Sequence, residues 1–207
     1  MTQTRELVKA LTKAAHTYYG RLPYHNWQHV CKVSTNYEDL YGTLPTETGL
    51  AIAYHDAIYV PGAHGTNESM SALAFLHELR KLTATDPSFD KLAVVNMIEA
   101  TKVANHVSAT YVPDTIETAR VLDCDLSALA TPDYMKFLDN QNNILIEVLG
   151  REFAVASDEK LADYRRQQAN FMRQFLQRPF VYHTAEARVA YEELARTNIL
   201  KYVYSWS

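Results

Sequence analysis

The residues richest in chemistry are a histidine and an aspartate side by side, His55-Asp56, closing the apolar run Leu50-Ala51-Ile52-Ala53. An ionisable pair at the buried end of a helix is costly unless something compensates it, and a divalent cation does so directly. Imidazole nitrogen and carboxylate oxygen suit manganese, magnesium, zinc, cobalt, nickel or iron to different degrees. Taken alone, the dipeptide is more simply a capping aspartate beside a half-buried histidine. Three further stretches change the balance. In Tyr24-His25-Asn26-Trp27-Gln28-His29 two histidines stand four apart and share a face wherever the segment is helical. With Asn26 as cap, His29 falls in a first helical turn, where the dipole disfavours imidazolium and keeps the ring available to a metal. Thr101-Lys102-Val103-Ala104-Asn105-His106 reads as the close of a helix, a place that suits a histidine without any function. Asp123-Cys124-Asp125-Leu126-Ser127 puts two acids at the end of an apolar helix, as ligands or as solvated turn formers.

Helices must position these groups, because helical periodicity dominates the chain. Leu7, Leu11, Ala14 and Tyr18 repeat on one face, and Gly20 and Pro23 end that helix. A second helix starts near Asn26, and a third ends at His55-Asp56. Thr66 or Asn67 caps a fourth, with Glu68 in its first turn. Leu92, Val95 and Ile98 point inward from the next. Pro113 opens a helix through Val121, and Pro132 sits at a first helical position. A long stretch runs from Tyr134 to Phe153, Asp158 caps another helix, and Pro179 breaks it before the last. The seven prolines all fall at such boundaries. The pattern predicts an all-α chain forming one domain over 1–207, with roughly eight or nine helices.

Composition sets the limits. A chain of 207 residues buries a core without staples. A net charge of −4 gives no broad attraction to nucleic acid or to an anionic membrane. No apolar run is long enough for a membrane span, and the N-terminal residues lack a signal-peptide core, so the cytoplasm is the expected location. Cys31 and Cys124 are too few for a disulfide framework and read as small buried apolar residues.

Read in order, His29, His55-Asp56 and Asp125 resemble the H…HD…D signature of the HD-domain superfamily of metal-dependent phosphohydrolases. The segments Tyr24-His25-Asn26-x-x-His29, Ala100-Thr101 with His106, and Asp125-Leu126-Ser127 are similar to those of cyclic-nucleotide phosphodiesterases. The whole pattern, with Asn67-Glu68-x-x-Ser71-Ala72, is most similar to small bacterial predicted HD phosphohydrolases. The resemblance implies His29, His55, Asp56 and Asp125 as ligands of one or two divalent ions, His25 as general acid, and Glu68 as orienting residue. It places Asn67 and His106 near substrate or water. Lys102, Arg21 and Arg151 are candidates to offset phosphate charge. Lys102 replaces the acid that phosphodiesterases carry after Ala-Thr, and no purine-gripping glutamine is recognisable, so cyclic nucleotides are not implied.

The activity so implied is hydrolysis of a nucleotide or other small phosphate ester. Two other readings compete: a non-catalytic nucleotide-binding module, and a di-iron oxygenase drawing on His25 and His106 as extra ligands. The C-terminal helices, rich in Tyr and Phe, are expected either to form a homodimer contact or to close the core.

Overall fold

The computed structural model describes residues 2–63, 65–85 and 87–206, with side chains from Thr4 onward. The order is α1 (Thr2–Tyr18), α2 (Trp27–Tyr41), α3 (Thr46–Tyr54), α4 (Asn67–Leu82), α5 (Lys91–Ala100), α6 (Val103–Val107), α7 (Ile116–Asp125), α8 (Tyr134–Leu149), α9 (Asp158–Gln177) and α10 (Ala185–Ser205). Two 3-10 turns, Leu126–Ala130 and Gly150–Val155, follow α7 and α8. Among the described residues there is no strand, as the periodicity predicts.

Polar caps start most of these helices, each contributing about 1 kcal/mol. Asn26 accepts from the backbone of Gln28 at 2.8 Å and of His29 at 3.2 Å, fixing where α2 begins. Three boundaries differ from the sequence reading. The Thr66 hydroxyl bonds back to Ala63 O instead of capping α4. Ser157 caps α9, so Asp158 becomes its first residue and meets the positive end of the dipole. Asp133 caps α8, which leaves Pro132 just outside the helix. That helix stops at Leu149 because Gly150 takes φ 53°, a turn open to glycine.

Two apolar cores result. In the first, Leu11, Leu50, Ile52, Tyr54, Phe75 and Ile98 are fully buried, joining α1, α3, α4 and α5. α3 is buried all round, which is why its sequence lacks a polar face. In the second, Phe137, Met172, Phe175, Tyr182 and Ile199 join α8, α9 and α10, so the C-terminal aromatics close a core. The ends of α3 and α7 and the start of α2 meet at the edge of the first core, to which Val30, Tyr54 and Cys124 belong. Leu92 is 62% exposed, because Val94, Met97 and Ile98 form the inward face of α5. Cys124 is buried as expected, whereas Cys31 is exposed on α2. Among the described residues, no helix is long and apolar enough to cross a membrane.

Candidate metal centre

The Asn26 cap sets the first turn of α2 and with it the His29 ring. His29 Nε2 lies 3.2 Å from His55 Nε2 and 3.0 Å from Asp125 Oδ1. His55 follows the last turn of α3, where its Nδ1–H donates to Ile52 O at 2.8 Å. That bond selects the tautomer whose Nε2 lone pair faces the cluster, the usual second contact of a metal-binding imidazole. Asp56 Oδ2 stands 3.0 Å from His55 Nε2 and 3.7 Å from His29 Nε2. Asp125 closes α7, its Oδ1 3.4 Å from His55 Nε2 and its Oδ2 3.1 Å from His106 Nε2. One donor atom each from His29, His55 and Asp125 lies within 4.8 Å of the others, and Asp56 sits at the edge of this trio.

The donor set fits a divalent cation on two counts. First, the electrostatics favour positive charge at this point. Burial pulls the His55 pKa down, yet the carboxylates of Asp56 and Asp125 outweigh it and hold it well above the usual imidazole range. Burial would raise the two carboxylates, but the imidazoles facing them keep Asp56 at about 2 and Asp125 well below its ordinary value. Second, polar atoms beside the cluster lack partners within the chain. Glu68 Oε2 and His106 Nδ1 are buried without a hydrogen bond, and both residues line the same cavity as Asp56 and Asp125. Two imidazoles and carboxylates are the mixed nitrogen and oxygen set that zinc, manganese, iron or cobalt accepts.

That cavity has a volume of about 280 Å³ and borders the second core, whose Leu129, Met172 and Phe175 line it. A larger surface groove of about 630 Å³, bordered by Glu47, Asp90, Asp114 and Glu117, includes none of the cluster.

His25 occupies the cavity wall outside the trio, its ring 6.1 Å from that of His29. A residue the sequence reading missed holds it there. Glu147 of α8, its side chain fully buried, accepts from Tyr24 N at 2.6 Å, His25 N at 2.9 Å and His25 Nδ1 at 2.5 Å. Tyr59 stacks on the other side of the ring at 3.8 Å. Burial disfavours the charged imidazole, but Asp56 and Glu147 outweigh it and raise the His25 pKa. The available signal was an acid inside Ile144-Leu145-Ile146-Glu147-Val148-Leu149, a run too apolar for an ordinary surface carboxylate.

The remaining candidates separate. Asp123 faces away from the cluster and accepts from His183 N at 2.6 Å, Thr184 N at 2.8 Å and Thr184 Oγ1 at 2.7 Å. Asn67 lines the cavity, but its amide is bound on both sides to the backbone of Val60, at 3.0 and 3.1 Å. His106 belongs to the short α6, not to the end of α5, and reaches the cluster through Asp125. Lys102 pairs with Glu99 outside the cavity lining. Arg21 and Arg151 are exposed and also lie outside it. Of the histidines a di-iron site calls on, His25 is committed to Glu147 through Nδ1, and His106 approaches only through Asp125.

No family model, curated protein or solved structure matches the chain.

Proposed function

We propose that this chain is a metal-dependent phosphohydrolase acting on a nucleotide or another small phosphate ester. The observation that carries the reading is the convergence of His29, His55 and Asp125 beside a cavity whose wall also presents His25, which the buried Glu147 holds through Nδ1. The in-order resemblance of His29, His55-Asp56 and Asp125 to HD-domain phosphohydrolases supports the same conclusion.

His29, His55 and Asp125 would hold the ion, with Asp56 available to it or to a second one. When bound, the ion supplies Lewis acidity toward water and toward the phosphoryl oxygens. The chain's own residues do the rest. The Ile52 carbonyl orients His55, and Asp125 is steadied from its far side by His106 Nε2. Glu147 binds Nδ1 of His25 and leaves Nε2 to give a proton to the departing oxygen as the phosphorus–oxygen bond breaks. Stacking on Tyr59 restricts rotation of that ring. Glu68, buried beside Asp56, accepts a proton or hydrogen bond from water entering the cavity.

The test is phosphate release from nucleoside mono-, di-, tri- and cyclic phosphates and simple phosphate esters, with added manganese, magnesium, cobalt or zinc. The reading expects turnover that depends on metal and disappears in His55→Ala, and slower turnover at unchanged metal content in His25→Ala. Metal binding with no hydrolysis of any ester, or full activity of His25→Ala on a poor leaving group, would contradict it.

A further inference from the structure

The cavity is not uniform, and its two walls point to a narrower class of substrate. On the polar side stand Asp56, Glu68 and Asp125 with His25 and His106. The apolar side of the lining comes from the turn after α7 and from α8 and α9, and comprises Leu129, Ile144, Val148, Phe171, Met172 and Phe175. Gln141 is the polar exception on that side, and its Oε1 already accepts from Gln168 Nε2 at 3.1 Å.

Lysine and arginine are what the cavity lacks. Every lysine and arginine of the chain lies among the described residues, and none of them lines it. Sites that bind di- and triphosphates surround the extra phosphate groups with arginine, lysine or a phosphate-cradling backbone loop, because each added group brings further negative charge into a low-dielectric space. Here a second or third phosphate would meet three carboxylates and an apolar surface, with only neutral side chains such as Tyr24, Tyr59 and Thr101 and the rings of His25 and His106 to set against its charge. One divalent ion at the His29–His55–Asp125 cluster offsets a single phosphoryl group. A volume of about 280 Å³ falls at the small end of the range for ligand pockets.

We infer that the substrate is a phosphate monoester of a compact, largely apolar or aromatic alcohol, with its phosphoryl group at the His29–His55–Asp125 cluster and its organic group against Phe171, Met172 and Phe175. The inference rests on the hydrolase reading for its chemistry, but the recognition it describes is separable from catalysis. Hydrolysis breaks the phosphorus–oxygen bond, water supplies the entering oxygen, and the alcohol leaves with a proton, so no further reactant is required.

The experiment measures both binding and turnover with the full chain reconstituted with manganese. Binding of benzylphosphonate, methylphosphonate and inorganic pyrophosphate is measured by calorimetry, and turnover is compared for phenyl phosphate, glucose 6-phosphate and ATP. Benzylphosphonate should bind about tenfold or more tighter than methylphosphonate, as burial of a ring implies, and pyrophosphate more weakly than either. Phenyl phosphate should exceed glucose 6-phosphate and ATP in kcat/KM by a similar factor. Val148→Arg, at a position 48% exposed and so tolerant of a long side chain, should raise pyrophosphate affinity and narrow the gap. Equal or better turnover of ATP, or equal binding of the two phosphonates, would overturn the substrate class and leave the hydrolase reading standing. Discrimination between phosphonates with no hydrolysis of any ester would overturn the hydrolase reading and retain the ligand class. Failure of every phosphonate to bind would overturn this inference.

Discussion

Asp123 and Asp125 lie two residues apart at the end of the same helix, both out of bulk water, and they have opposite surroundings. Asp123 is enclosed by three donors from the start of α10, the backbone amides of His183 and Thr184 and the Thr184 hydroxyl. Its burial raises its pKa, and these three bonds offset part of that rise. It ties α7 to α10 and joins the two halves of the molecule. Asp125 meets no backbone donor; its neighbours are the rings of His29, His55 and His106. A carboxylate satisfied by fixed amides belongs to the fold. One surrounded only by imidazoles, which need protons or a cation to partner it, belongs to a site.

Mutations should separate the two roles. The largest effect falls on the proposed catalysis: Asp125→Ala should lower metal-dependent phosphate release by about 10³-fold or more, because the proposal makes it a ligand at the point of chemistry. Asp123→Ala should instead act on the fold. It strands three buried donors, and the loss should be about 3–5 kcal/mol in denaturant unfolding. If Asp123→Ala proved harmless to stability, the contrast between the two acids would collapse.

Glu147→Gln sharpens the comparison through a third buried acid, the one that holds His25. An amide still accepts from Tyr24 N and His25 N but holds the His25 ring less firmly. Turnover should fall about 10–100-fold with metal content unchanged, as rates and elemental analysis will show. The partners of Asp123 carry a pH signature of their own. Burial and the positive charges of Arg178, whose Nη2 lies 3.3 Å from the ring, and Arg188 push His183 down to about 4, while the Tyr111 ring packs edge-on against it. Its folded pKa lies below its unfolded value of about 6.5, so the unfolded state binds the proton first. Stability is therefore lost as pH falls from about 6.5 to about 4, and His183→Gln should flatten that part of the profile in urea titrations. The smallest effect belongs to Lys102. Paired with Glu99 on a partly exposed surface, it should yield Lys102→Ala within about 0.5 kcal/mol of the parent and near-parental turnover.

The contrast also explains what the sequence could reveal. Helix-end chemistry was legible because it is local: Asn26 caps α2, and His55-Asp56 ends an apolar helix, so both could be placed from their neighbours. The all-helical architecture was legible for the same reason, through periodicity and proline positions. The choice of Asp125 over Asp123 rested on the resemblance carried by Asp125-Leu126-Ser127, since the chemistry of the two acids and their neighbours did not separate them. What separates them is the start of α10, about sixty residues further on, brought in by tertiary packing. Glu147 was hidden likewise, since its partners Tyr24 and His25 lie more than a hundred residues earlier in the chain. Leu92 was misplaced because periodicity identifies an apolar face without fixing its edges; the i, i+3 pairing of Lys102 with Glu99 was available in the sequence beside the motif that made Lys102 a candidate.

The most direct test of the account is metal stoichiometry, measured by elemental analysis after reconstitution and desalting, for the parent chain, Asp123→Asn and Asp125→Asn side by side. The cluster predicts one or two equivalents of divalent metal in the parent and in Asp123→Asn, and loss of the metal in Asp125→Asn. Metal retained in Asp125→Asn but lost in Asp123→Asn, or none bound by the parent chain, would contradict it.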